Sequence, residues 1–321
     1  MQMCLRCSTF LLILTLSLVT HAQGYPAKTI RLVVPASPGG GSDVISRILV
    51  QRMSESMGRQ IVIDNRAGAN NIIGTDIVAR APPDGYTLVF VAAPHAVNPS
   101  MYQNIPFDTL RDFAPISQVA TTPYLLVVHP SLPVRTVREL VVLAKARPGQ
   151  IDYASGGAGG SPHLATELFK SMAGINLTHV PYKGAGLALL DVVSGQVPVM
   201  FASSAPSLPY VLAGRLRALG ISSTRRSAIE PEIPTVAESG VPDFYADSFF
   251  GLLAPARTPR SVIDILNAEA HKAMRIPEVA ERMKNLGADV VLGTPADFGR
   301  VIESEMKRWG DLVRALNLRV E

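Results

Sequence analysis

The stretch Ile30-Arg31-Leu32-Val33-Val34-Pro35-Ala36-Ser37-Pro38-Gly39-Gly40-Gly41-Ser42-Asp43, running into a segment that carries Ile45, Ile48, Leu49 and Met53, decides the fold class. An apolar run of strand length, 30–34, meets a helix-period segment, 43–57, through a turn of glycine and proline. Such a turn leaves backbone N–H groups at the positive end of a helix dipole, which suits a phosphate or a carboxylate. Without a Cβ, the glycines let a ligand come close to the backbone. Ser37 and Ser42 add hydroxyl donors, while Asp43 is expected to cap the helix and to pair with Arg47 one turn on. A tight turn with no ligand is the competing reading of this loop taken alone.

Outward from this unit the alternation continues. Apolar runs at 61–64, 87–92, 125–129, 152–155, 177–181, 197–202 and 216–222 alternate with helix-period segments at 137–146, 164–173 and 187–194. Strand–helix alternation implies α/β layers with parallel sheets. The C-terminal part is different: helices are expected over 261–274, 277–286 and 296–316, with one strand at 289–292 between the last two. Thr258-Pro259 and Thr294-Pro295 each place a capping hydroxyl before a proline at the first helical position. The 321 residues suggest two domains. No low-complexity linker separates them, so the boundaries are expected inside ordered strands, as when a chain crosses between domains twice.

The same loop design recurs at Ser155-Gly156-Gly157-Ala158-Gly159-Gly160-Ser161-Pro162-His163, with Ser161 as N-cap and Pro162 as first helical residue. Two helix starts of this kind favour one anion shared between two domains, because ligands of open α/β sheets sit outside the carboxyl ends of the strands. His163 falls in the first turn of the second helix, within reach of such an anion, although a capping or surface role fits it equally. A third strand end, Val180-Pro181-Tyr182-Lys183-Gly184, offers the charge of Lys183. Neither glycine loop has the third glycine of a dinucleotide fingerprint, and no phosphate-binding G-x-x-x-x-G-K-[ST] occurs. H-E-x-x-H and G-x-S-x-G are absent, and the histidines show no metal-ligand spacing, so no metal or other cofactor is expected.

Composition agrees with a folded globular protein. The chain is 47% hydrophobic and 17% charged, with 30 Lys and Arg against 26 Asp and Glu, giving a net charge of +4 without long runs of one sign. That weighs against a nucleic-acid partner. Residues 1–22 pass from Arg6 through an apolar stretch to Thr20-His21-Ala22, the pattern of a cleaved secretory signal, so export to the periplasm and a mature start near Gln23 are expected. Cys4 and Cys7 would leave with it.

At these residues the sequence resembles the Bug family, the periplasmic solute-binding receptors of tripartite tricarboxylate transporters. The similar elements are the Pro-x-x-Pro-Gly-Gly loop with Asp43, Asp64-Asn65-Arg66-x-Gly68-Ala69, Pro83-Asp84-Gly85-Tyr86, and Tyr153-Ala154-Ser155 followed by Gly159, Ser161 and His163. Val180-Pro181-Tyr182-Lys183-Gly184, Gly214-Arg215-Leu216-Arg217-Ala218-Leu219 and Gly251-Leu252-Leu253-Ala254-Pro255 continue the likeness in order along the chain. The resemblance implies an α/β, two-domain periplasmic-binding-protein-like fold of type II, with two crossover strands and a ligand cleft between the domains. Domain 1 would span 24–122 plus 248–321, and domain 2 would span 123–247. It further implies a small carboxylate held by Ser37, Pro38, Gly39 and Gly40 from one side and by Ser155, Gly159, Ser161, His163, Lys183 and Gly184 from the other, with Asp247 also at the site. Expected partners are membrane transporter subunits or a sensor domain, the receptor itself being a monomer. The chain departs from the family at Ala92-Ala93, Ala202 and Phe250, where Ser or Thr, an acidic residue and Trp are common.

Two other classes compete with a non-catalytic receptor. An exported α/β serine hydrolase or transferase would use Ser155 or Ser161 with His163 as base and Glu167 one turn on to orient it. A binding module acting only through protein contacts would instead show an exposed apolar patch.

Overall fold

The computed structural model describes residues 24–227 and 230–318, so the expected signal peptide and Cys4 and Cys7 lie outside the described residues. Two sheets carry the fold. The first is built from β1 (Ile30–Val34), β2 (Ile61–Asn65), β3 (Thr87–Ala92), β4 (Phe113–Thr122), β10 (Ser248–Pro255) and β11 (Asp289–Val290) in the order β11-β4-β10-β3-β1-β2. The second is built from β5 (Tyr124–Val128), β6 (Asp152–Ser155), β7 (Thr178–Pro181), β8 (Val199–Ser203) and β9 (Arg217–Ile221) in the order β7-β6-β8-β5-β9. The chain therefore changes sheets twice, at Pro123 between β4 and β5 and again through 222–247 between β9 and β10.

Helices cover both faces of each sheet, which is why most strands are apolar throughout rather than alternating. On one face of the first sheet lie α1 (Gly41–Met57), α8 (Arg260–Met274) and α9 (Pro277–Asn285), which pack Ile45, Ile48, Leu49, Leu266 and Met283 with Ile30, Leu32, Leu88 and Phe90. The other face receives α2 (Ile72–Ala79), α3 (Pro94–Met101) and the first half of α10 (Pro295–Ala315), through Ile72, Ala96, Phe298 and Ile302 against Val33, Val89, Val91 and Leu253. The second sheet is covered by α4 (Val137–Ala146) and α5 (Ser161–Ala173) on one face and by α6 (Ala185–Val193) and α7 (Ser204–Leu212) on the other. The second half of α10 crosses over: Trp309, Leu312 and Val313 pack with Tyr124, Leu126, Val128 and Phe201 of the second sheet.

Alternation predicted parallel sheets, and both sheets are mixed instead. β1, β2 and β3 are parallel to one another through β1, and β6 is parallel to β7 and β8. β10 is antiparallel to β3 and β4, β11 is antiparallel to β4, and β5 is antiparallel to β8 and β9. Strands that arrive from the other half need no helical return, so nothing forces them parallel.

The two threonine caps divide. Thr294 accepts the Asp297 N–H at 3.1 Å while the Asp297 carboxylate accepts the Thr294 N–H at 2.8 Å, a reciprocal capping box at the start of α10. Thr258 does not cap α8; its hydroxyl donates to the Pro255 carbonyl at 2.8 Å and Pro259 takes the cap position. The turn that folds the chain back onto the end of β10 has used the hydroxyl. Thr294→Ala should lower stability by about 1 kcal/mol, read as a fall in the urea midpoint at unchanged slope.

Candidate functional site

Each glycine loop is held by its own backbone and by buried side chains, one in the first loop and two in the second. In the first, Gly39 adopts φ +80°, and the Gly40 N–H donates to the Ser37 carbonyl at 3.3 Å. Ser37, Pro38, Gly39 and Gly40 are all exposed. Asp43 was expected to cap the helix, but Gly40 is the N-cap and Asp43 sits buried in the first turn. Its carboxylate accepts from the Gly39 N–H at 2.9 Å, from Arg47 Nε at 3.0 Å and from Asn65 Nδ2 at 3.0 Å, so the expected pair with Arg47 forms and a third group joins it. Burial pushes the Asp43 carboxyl up, but the hydrogen bonds from Arg47, Gly39 and Asn65, with the Arg47 charge, outweigh it and hold the group below the usual range. Asn65 Nδ2 also donates to the Ala36 carbonyl at 3.1 Å, tying the end of β2 to the loop after β1.

The second loop follows the same plan. Gly157 and Gly159 have φ +134° and +74°. The Gly157 N–H turns to Ser155 Oγ at 3.2 Å, the Gly159 N–H to His163 Nδ1 at 3.2 Å, and the Gly160 N–H to the Gly157 carbonyl at 3.3 Å. Helix α5 begins one residue earlier than expected, with Gly160 as N-cap, Ser161 as first residue and Pro162 second. In both loops several glycine amides thus build the loop itself. The donors left without an intrahelical acceptor are those of the first helical turn: Gly41, Ser42 and Asp43 in α1, Ser161 and His163 in α5.

The third strand end packs on the second loop. The Tyr182 N–H donates to the Ser155 carbonyl at 2.9 Å, and a Cβ on Gly156 would lie 2.7 Å from the Ala185 nitrogen, so a side chain at 156 has no room. Gly184, at φ +139°, is the N-cap of α6, and Lys183 is exposed beside it.

The segment where the chain changes sheets lies between the loops. The Phe250 ring reaches the first residue of α1, where a Cβ on Gly41 would lie 3.7 Å from its tip, and it stacks with Phe90 at 6.2 Å. Tyr124 is buried, which pushes its hydroxyl's pKa up, while Ser161 and Ser248 beside it oppose the shift. Asp247 is 9% exposed and accepts from the Ser222 hydroxyl at 2.8 Å, which itself accepts the Tyr124 N–H at 2.8 Å. Burial pushes the Asp247 carboxyl up to about 6; Asp289 and Glu305 add to this, while Ser222 and Arg308 oppose it. Of the departures from the family pattern, Ala92 pairs with Phe250 across β3 and β10, and Ala202 pairs with Leu125 across β8 and β5.

One contact at the site was not anticipated. Asn70 Nδ2 donates to the Gly159 carbonyl at 3.2 Å and to Asn98 Oδ1 at 2.9 Å, and Asn98 Nδ2 returns a bond to the Asn70 carbonyl at 2.9 Å. This fastens the second loop to the half of the molecule that carries the first. Ala69, Asn70 and Asn71 all have positive φ, at 44°, 47° and 76°. The sequence signal for such a turn is the Asn-Asn pair, since asparagine tolerates the left-handed region better than most residues.

The Ser155 form of the serine-hydrolase constellation does not assemble. Ser155 is 0% exposed, and its Oγ lies 2.6 Å from His179 Nε2, whereas His163 Nδ1 is occupied by Gly159. Glu167 accepts from the Tyr153 hydroxyl at 2.5 Å and from Lys170 Nζ at 2.7 Å. Among the described residues there is no cluster that could hold a metal ion, and no helix is long and apolar enough to cross a membrane.

Residues 45–318 match the family described as "Tripartite tricarboxylate transporter family receptor". The chain belongs to that family. Its members are periplasmic receptors, and they include relatives already described from several bacteria. Protein BugT of Bordetella pertussis is 37% identical over 302 residues, which is 94% of this chain and 93% of BugT. The solved structure "R. palustris Rpa4515 with adipate" is 35% identical with a TM-score of 0.85, over 90% of this chain and 97% of the other. "MatC (Rpa3494) from Rhodopseudomonas palustris with bound malate" is 28% identical with a TM-score of 0.82, over 90% of this chain and all of the other (100%). The receptor fold expected from the motifs is thus the fold observed, with mixed rather than parallel sheets.

Proposed function

We propose that this receptor captures a small carboxylate between its two α/β halves, one carboxylate group meeting the first-turn amides of α1 and α5. The observation that carries the reading is that both helix starts flank the same crossover, the first against Phe250 and the second beside Tyr124, with Asn70 hydrogen-bonded to the second loop. The halves correspond to 24–122 plus 248–318 and to 123–247 among the described residues. Ser37 to Gly40, Gly159, Ser161, Lys183 and Gly184 border the site, Ser155, His163 and Asp247 stand behind it, and residues 1–22 direct export. The receptor works as a non-catalytic monomer that hands its ligand to membrane subunits of a tripartite tricarboxylate transporter. Relatives holding adipate and malate support a dicarboxylate.

The test is a thermal-shift panel of adipate, malate and shorter mono- and dicarboxylates, with adipamide and uncharged sugars as controls. Ligand at about 100 times its dissociation constant stabilises the native state by about 2.7 kcal/mol, a rise of a few degrees for a chain of this size. Adipamide should do far less, having no charge for the helix amides to meet. Sugars that shift the protein while every carboxylate fails would overturn the reading.

A further inference from the structure

Behind the second loop lies a stack of rings for which the proposed binding scheme has no direct use. In β6, Tyr153 and Ser155 project to one face, and the parallel register sets His179 of β7 opposite Tyr153. His179 is therefore a diagonal neighbour of Ser155. Its ring stacks on Tyr153 at 4.8 Å and lies 4.3 Å from the His163 ring, which comes down from α5. The two imidazoles hold opposite ends of the loop: His179 Nε2 meets Ser155 Oγ at 2.6 Å, and His163 Nδ1 accepts the Gly159 N–H at 3.2 Å.

We propose that His163 and His179 are the positioning residues of this loop, fixing its two ends so that the first-turn amides of α5 face the carboxylate. The inference rests on the proposed function for its purpose, not for its geometry. Both rings act in the neutral state. His163 Nδ1 is an acceptor here, so a proton on it would set two donors face to face with Gly159. Charges on both rings would also repel each other across 4.3 Å. The charged groups facing the stack are Glu167 and Lys170 of α5, which are paired with each other, Lys170 also lying over the Tyr153 ring. Burial, then the neighbouring His163, push the His179 imidazole down to about 4, and burial also lowers His163, so both rings favour the neutral form. An anion loop built on histidines that are not cations gains nothing from their charge; what they supply is geometry.

The experiment uses the full mature protein without ligand and then with adipate as probe. Nitrogen-15 NMR of the imidazoles at pH 6 should find both rings neutral, with His163 carrying its proton on Nε2. His179→Leu should expose the Gly157 and Gly159 amides to hydrogen exchange and weaken adipate binding about tenfold, a loss of ~1.4 kcal/mol. His179→Gln, which returns a polar partner to Ser155, should recover most of both. A protonated His163 at pH 6 would overturn the proposal, as would His179→Leu with amide exchange and affinity unchanged. If His179→Leu does not fold, the tautomer measurement and the exchange of His163→Asn against His163→Leu decide it. A parent protein that ignores adipate counts against the proposed function alone, since the ring and amide measurements need no ligand.

Discussion

Gly40→Leu is expected to abolish carboxylate binding and to leave the fold intact. Gly40 has φ −74° and ψ 167°, an extended conformation open to any L-residue, and a Cβ there approaches only the Ser37 carbonyl, at 3.4 Å. The side chain would then project from the cap of α1 into the space in front of its first amides. We expect an affinity loss of about 100-fold or more, equivalent to ~3 kcal/mol, with a melting temperature within a couple of degrees of the parent. Gly159→Leu is a less clean variant, because φ +74° adds about 1–2 kcal/mol of backbone strain to any loss of binding. A folded Gly40→Leu protein that binds like the parent, by calorimetry, would remove the first loop from the site.

The second large effect concerns acid. His95 in α3 is 3% exposed, packed edge-on to Phe113, and neither ring nitrogen has a hydrogen-bond partner. Burial pushes its imidazole from 6.5 down to about 4. Between those values the unfolded chain binds a proton that the native state refuses, so stability falls as pH drops through the window, by about 3 kcal/mol in all. Asp247 acts in the opposite sense: its carboxyl is raised from 3.8 to about 6, so its contribution is full below 3.8 and is lost as pH rises through 6. The size is again about 3 kcal/mol. The two contributions oppose each other, and the parent should hide both. Relative to the parent, His95→Leu should gain about 3 kcal/mol on going from pH 7 to 4, and Asp247→Asn should lose a similar amount over the same range. Urea titrations at both pH values would show this; difference profiles that stay level would refute it.

Much of this was legible in the sequence because glycine and proline punctuate the elements that matter. The loop from Pro35 to Gly40 and the loop from Gly156 to Gly160 announce themselves by composition, and the strand before the first by an apolar run broken only at Arg31. Other elements escaped. Helices α3 and α7 contain Pro99 and Pro209, which read as breakers. β4 carries Pro115 beside a register shift against β10, and no strand is expected over 113–122 from its own pattern. The role of His179 was invisible for a different reason. It depends on the pairing of β6 with β7, and a pairing register is a tertiary fact that spacing along one chain does not state.

The course of α10 has a consequence for how the molecule comes apart. Phe298 and Ile302 lie in the core under the first sheet, while Trp309, Leu312 and Val313 of the same helix lie in the core of the second. Near its middle Arg308 donates to the Tyr245 carbonyl at 3.0 Å, on the strand approach where the chain returns to the first sheet, and its guanidinium lies over the Tyr245 and Trp309 rings. Neither core can lose its packing without uncovering part of the other. Two halves with separate sheets should accordingly melt as one cooperative unit, giving a single calorimetric transition whose van't Hoff and calorimetric enthalpies agree.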